Sequence, residues 1–218
     1  MKVAAAGPHL CSAIPLLCIC IGWKDAAAET TTQTVVSRLQ FPLPTALSRA
    51  LGYEHEEALF GPHHPYGGVI AERVIHGGVQ PGKAVRAWTL CSIEDAELVL
   101  PILPPDSSPF ILMVDRGECT FVTKTRWAQK LGAVGVLFAD DMCQCSDAAS
   151  GICSMSGNLH CEEFGPTVGD DGSGADITIP SLMMQKMDAT IVKNRLEKGV
   201  PVMAKMSWSL AAPDGGIE

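Results

Sequence analysis

The chain has 218 residues, 47% of them hydrophobic and 18% charged, with a formal net charge of −8. This length allows one domain with a sizeable core, and the composition excludes an intrinsically disordered chain. The acidic balance excludes a nucleic-acid partner, because phosphate binding needs a basic surface; it permits a basic peptide partner.

Residues 1–28 read as a secretory signal peptide. Lys2 supplies the positive start, residues 10–21 the apolar run, and Ala26-Ala27-Ala28 the small-residue cleavage site. The apolar run falls short of the about 20 residues of a transmembrane helix. No other segment could span a bilayer. The expected mature product has no membrane span and resides in the secretory lumen (Golgi, endosome or vacuole) or outside the cell. Residues 29–34 form a polar lead-in. Residues 35–41 predict a first strand, stopped by Pro42 and Pro44. Residues 53–60 suit a strand or a short helical turn, and residues 61–68 a loop. The adjacent His63 and His64 in that loop have no third ligand at telling spacing and are read as loop residues, not metal ligands. Residues 69–75 predict a strand ended by Gly77-Gly78, and residues 85–90 another. Residues 101–109 are a proline-rich connection.

Residues 110–141 organise the chain. Residues 110–114 predict a buried strand, followed by the polar loop Asp115-Arg116-Gly117-Glu118-Cys119. A helix is expected over residues 121–131, stopped by Gly132, and a second buried strand over residues 134–139. At 100° per residue, Phe121, Trp127, Ala128 and Leu131 share one side of that helix. Lys124 falls in the middle of that side. Either its stem packs while the ammonium reaches solvent, or it stands at the mouth of a site beside the loop.

Of the nine cysteines, Cys11, Cys18 and Cys20 leave with the signal. Six remain, an even number that suggests disulfides in an oxidising compartment and allows 15 connectivities. Cys143, Cys145, Cys153 and Cys161 cluster, which leaves Cys91 for Cys119; the pairing within the cluster stays open. Zinc would suit such a cluster in the cytosol, but behind a signal peptide disulfides are preferred. Residues 170–176 resemble a fragment of a calcium loop, yet lack its ordered oxygens and final Glu, and read as an acidic loop. Residues 177–184 predict a strand containing Pro180. Asp188 is expected to cap a helix over residues 189–198, ended by Gly199. Residues 200–208 alternate in hydrophobicity as a half-buried strand.

Arg116, Gly117, Cys119, Phe121 and Lys124, followed by Ala128-Gln129-Lys130, Gly132 and Ala133, resemble the pattern of the protease-associated (PA) domain. VDRGECTF, AQKLGAVGVLFADD, ITIPS and the ending WSLAAPD resemble more specifically the luminal PA domain of vacuolar sorting receptors. The cysteine-bearing insert, residues 142–176, departs from the plant receptors. The resemblance implies an α/β fold over residues 35–212: a PA-type β-barrel or sandwich of about six or seven strands flanked by helices, which closure spares exposed edges. Residues 213–218 are a tail. It also implies a non-catalytic module that recognises a soluble cargo protein or peptide around the loop. Arg116, Gly117, Glu118, Cys119, Phe121 and Lys124 are the candidate contacts. Arg116 presents a fork for a carboxylate or peptide carbonyl. Alternatively it pairs with Asp115, Glu118 or Asp141 and only holds the loop.

No catalytic set is legible: there is no GxSxG elbow and no HExxH, and Cys119 is read as a disulfide sulfur. No enzyme activity, cofactor or metal is expected. The family also implies two alternatives: a substrate-access or regulatory domain of a secreted protease, or a stand-alone secreted interaction module. His55, His63, His64, His76 and His160 could titrate in an acidifying compartment and release cargo there.

Overall fold

The computed structural model describes residues 34–62, 68–78, 88–104, 108–149, 151, 153 and 161–211. The expected signal peptide, most of the lead-in, the His63–His64 loop, His160 and the tail lie outside these residues.

The elements in chain order are β1 (Val35–Leu43), β2 (His55–Glu57), β3 (Val69–His76), α1 (Ile93–Val99), β4 (Phe110–Asp115), α2 (Phe121–Lys130), β5 (Gly135–Ala139), α3 (Cys145–Ala149), β6 (Ser181–Met184), α4 (Lys186–Glu197) and β7 (Met203–Leu210). The strands form one seven-stranded sheet in the order β1-β7-β3-β4-β5-β6-β2. β3, β4, β5 and β6 run parallel, and the outer pairings are antiparallel. The edges curl towards each other. Tyr53 N–H donates to Leu39 O at 2.8 Å, and Ser37 Oγ lies 2.8 Å from His55 Nε2. The sheet is a nearly closed barrel with helices packed on it, the mixed α/β class expected.

Alternation along the strands divides the core in two. Phe110, Leu112 and Val114 of β4 join Val136 and Phe138 of β5 on the outer face, under α1 and α2. Ile111, Met113, Leu137 and Ala139 face inward with Leu39, Phe41, Met206 and Trp208, and Ala189 and Val192 of α4. Both faces of β4 and β5 are therefore dry, which explains their unbroken apolar runs.

Several expectations need correction. β1 runs through Pro42 to Leu43, where an edge strand with a register shift tolerates a proline, and β7 begins only at Met203, after Pro201. Trp88–Leu90 do not form a strand, and residues 85–87 lie outside the described residues. Leu90 takes φ 54°, which breaks the pleat, and Trp88 N–H turns to a side chain, Asp115 Oδ2, at 2.6 Å. Asp188 does not cap α4. Gln185 is the N-cap, and Asp188 sits in the first turn, where Arg49 grips it at 2.6 and 3.0 Å. The strand read from residue 177 begins only at Ser181, after Pro180, which has no N–H for a ladder.

Candidate functional site

The parallel strands bring their carboxyl ends to one side of the sheet. His76 ends β3, Asp115 ends β4, Asp140 follows β5, and Gln185 follows β6. Such an edge is where open parallel sheets place ligand sites, because loops leave it with their polar groups free to point outward.

The Arg116–Cys119 loop leaves this edge from β4. Gly117 takes φ 107° and Glu118 φ 66°, the left-handed region that costs a side chain about 1–2 kcal/mol. Three anchors hold the loop there. Cys119 is bonded to Cys91, with Cα atoms 5.7 Å apart. Thr89 Oγ1 donates to Glu118 Oε2 at 2.8 Å. Lys124 Nζ donates to Gly117 O and Thr89 O, each at 2.6 Å.

Lys124 is the unexpected member. Its side chain is fully buried, so its ammonium does not snorkel to solvent. The helix period placed it correctly on the inward side of α2, beside Val122, Thr125 and Ala128. Two backbone carbonyls solvate its ammonium in place of water. Burial pushes its pKa down to about 8, against the opposing pull of Glu118, Asp115, Asp95 and Asp141.

Arg116 is already engaged. Its guanidinium grips Glu162 with two bonds, 2.8 and 3.0 Å, and donates to Asp140 Oδ1 at 2.9 Å. Asp141 lies 3.9 Å from its Nε. The Glu162 fork, which outweighs the cost of burial, raises the Arg116 pKa further. Glu162 comes from the insert. It is held by bonds with Cys143 O and Cys145 N at 2.9 Å each, next to the Cys145–Cys161 disulfide. Cys143 pairs with Cys153. The pairing left open in the sequence thus resolves as two crossed bridges.

Beside Arg116 runs a groove of about 820 Å³ along the seam between β1 and β2. Val36 and Arg38 of β1, Glu54, Glu56 of β2, Asp140 and Gln144 are among its lining residues. Asp140 therefore belongs both to the groove and to the Arg116 cluster.

The model of the PA domain matches residues 82–192. This chain belongs to the PA domain family. Similar curated proteins are vacuolar-sorting receptor 7 of Arabidopsis thaliana, 29% identical over 117 residues, and vacuolar-sorting receptor 1 of Pisum sativum, 33% identical over 113 residues. These stretches cover 53% and 50% of this chain but 17% and 16% of the receptors. Among solved structures, an aminopeptidase from Aneurinibacillus sp. strain AM-1 is similar over 81% of this chain and 34% of its own, at 14% identity and a TM-score of 0.47. A zinc aminopeptidase from Bacillus subtilis is similar over 82% and 34%, at 15% identity and a TM-score of 0.45.

Within the PA domain, the candidate residues split into four groups. Gly117, Cys119 and Lys124 meet around Thr89 and Cys91. Arg116 turns instead to the insert. Glu118 stays exposed apart from its Thr89 bond. Phe121 packs its ring 4.9 Å from that of Phe138, in the outer core. Sequence reasoning missed Glu162, Asp140 and Thr89, because nothing local marks a distant partner. Among the described residues, no three His, Cys, Asp or Glu side chains converge as a metal site, and no helix is long and apolar enough to cross a membrane.

Proposed function

We propose that this PA domain is a non-catalytic binding module that recognises an extended segment of a soluble cargo protein in the secretory pathway. The observation that carries the reading is the seam groove lined in part by Asp140, which accepts a hydrogen bond from Arg116. An extended peptide lying there has the β1 edge for backbone pairing and Val36 for apolar contact. Its carboxylate or carbonyls have Arg116, provided that Glu162 yields. The similarity to vacuolar-sorting receptors supports cargo as the partner class, and three disulfides suit a secretory or extracellular compartment.

The test is a binding titration of the oxidised chain against propeptides and C-terminal tails of soluble vacuolar proteins. Saturable binding is expected, with at least tenfold loss in Arg116→Ala and in Val36→Asp, equivalent to about 1.4 kcal/mol. Val36 is an exposed groove-wall residue, so its variant keeps the fold. Binding that survives both substitutions would exclude this groove, and no binding by the folded, fully oxidised chain would exclude a self-sufficient cargo site.

A further inference from the structure

The Lys124 ammonium makes a third contact that loop anchoring does not use. Its Nζ lies 3.6 Å from Cys91 Sγ, one of the two sulfurs that close the loop. No carboxylate lies within ion-pair distance of Nζ among the described residues, while Glu118, Asp115, Asp95 and Asp141 act on it from further away. In the oxidised protein that sulfur is a weak acceptor, and a buried positive charge faces it with little return. A thiolate at the same position would be a full counter-ion. Cys119 receives no such contact from Lys124. The two halves of the disulfide are therefore unequal: of the two sulfurs, Cys91 Sγ has the ammonium beside it, together with Thr89 O and Gly117 O at 3.7 and 3.9 Å, the same carbonyls that accept from Lys124.

Access differs between bridges, not between the two sulfurs of this one. Cys91 and Cys119 are both half-buried, whereas Cys143 and Cys153 are 3% and 5% exposed. Cys145 and Cys161 are half-buried like Cys91 and Cys119, which makes their bridge an internal reference of similar exposure.

We propose that the Cys91–Cys119 bridge is a thiol-exchange site, with Cys119 as the attacked sulfur and Cys91 as the leaving thiolate. A thiolate of the glutathione class attacks Cys119 Sγ, forming a new S–S bond. The Cys91–Cys119 bond breaks, and its electron pair goes to Cys91 Sγ beside the Lys124 ammonium. A second thiolate can displace Cys119 from the mixed disulfide, so that two thiols are oxidised for the one protein disulfide reduced. Leaving-group stabilisation by a neighbouring cation speeds this step, because the better-stabilised thiolate departs faster. Opening the bridge releases the loop from the segment before α1. Gly117 and Glu118, at φ 107° and 66°, then lose one of their three anchors.

The proposal does not depend on peptide binding, since it is read on sulfur. The oxidised chain is incubated with reduced glutathione, quenched in acid, digested and mapped by mass spectrometry. The expected product carries glutathione on Cys119 and a free thiol on Cys91. An adduct on Cys91, or an even split, overturns the assignment. Lys124→Met is expected to slow exchange at this bridge by about tenfold while leaving exchange at Cys145–Cys161 unchanged. An equal rate in that variant overturns the role of Lys124. Should Lys124→Met fail to fold, Lys124→Arg keeps the charge and must keep the Cys119 preference, and loss of that preference overturns the same role.

Discussion

At the residue scale, Asp115 is a buried carboxylate with partners on three segments of the chain. It ends β4 and is 3% exposed. One oxygen accepts from Lys193 Nζ at 2.7 Å. The other accepts from Trp88 N–H at 2.6 Å and lies 3.3 Å from His76 Nε2. Gly78 N–H donates to His76 Nδ1 at 3.1 Å, while His76 Nε2 makes no hydrogen bond among the described residues despite its nearness to Asp115. Burial alone would raise the pKa of this carboxyl, but His76 and Lys193 overcome it and hold it at about 2. The folded value lies below the unfolded one, so the stabilisation is complete above about pH 4 and is lost as pH falls through 2. Its size is roughly 2 kcal/mol. Asp115→Asn should lower stability at pH 7 by at least that amount, measured by urea unfolding. The gap between variant and parent should narrow by roughly 2 kcal/mol between pH 5 and pH 2. A gap that stayed constant over that range would show that Asp115 does not carry the acid sensitivity.

At the element scale, the end of β3 and the segment entering α1 are locked by a contact that permits no Cβ. A methyl group on Gly77 would sit inside the Trp88 indole, which is 4% exposed and cannot move aside. Gly77→Ala should cost about 1–3 kcal/mol, seen as a lowered midpoint in thermal or urea unfolding. A neutral substitution would mean that the indole has room to shift. The same region shows what the sequence conceals. β4, β5 and α2 are legible because their signals are local: apolar runs of strand length, and a helix stopped by Gly132 at φ 87°. The start of α1 is also written locally, in the capping box of Ser92 and Asp95. Trp88–Leu90 misled because their apolar character serves burial in a non-strand conformation. Lys124 shows the mixed case. Periodicity gave the direction of its side chain, but the carbonyls of Thr89 and Gly117 that make its burial tolerable are brought there by tertiary structure. Arg116 was readable as a binding fork or as a loop clamp, and only the fold supplies Glu162, 46 residues away in sequence, to occupy it.

At the scale of the whole molecule, the insert is joined to the rest of the domain through polar contacts and the buried Val168, not through its disulfides. Its cysteines bridge each other, and neither bridge ties it to the sheet. Its contact with the loop is Glu162, held on Arg116 by a bidentate bond. An Arg–carboxylate fork is strong only while both partners are fixed, since otherwise its formation must order two flexible side chains. The Cys145–Cys161 bridge does this fixing for Glu162, the residue after Cys161. Replacing both cysteines by serine should therefore act at a distance. The barrel core keeps its packing, so the far-UV circular dichroism stays native, and stability falls by about 3 kcal/mol or less. Glu162 loses its hold on Arg116, which keeps Asp140 as partner. Amide exchange should then quicken in residues 116–118 and 142–145 while β4 and β5 stay protected. In the cargo titration the same variant should bind anionic peptides more tightly than the parent, because Arg116 is no longer shared with an internal carboxylate. Unchanged exchange at residues 116–118 would show that the insert does not control the loop. Weaker binding of anionic peptides would show that Glu162 holds Arg116 in its binding posture instead of competing for it.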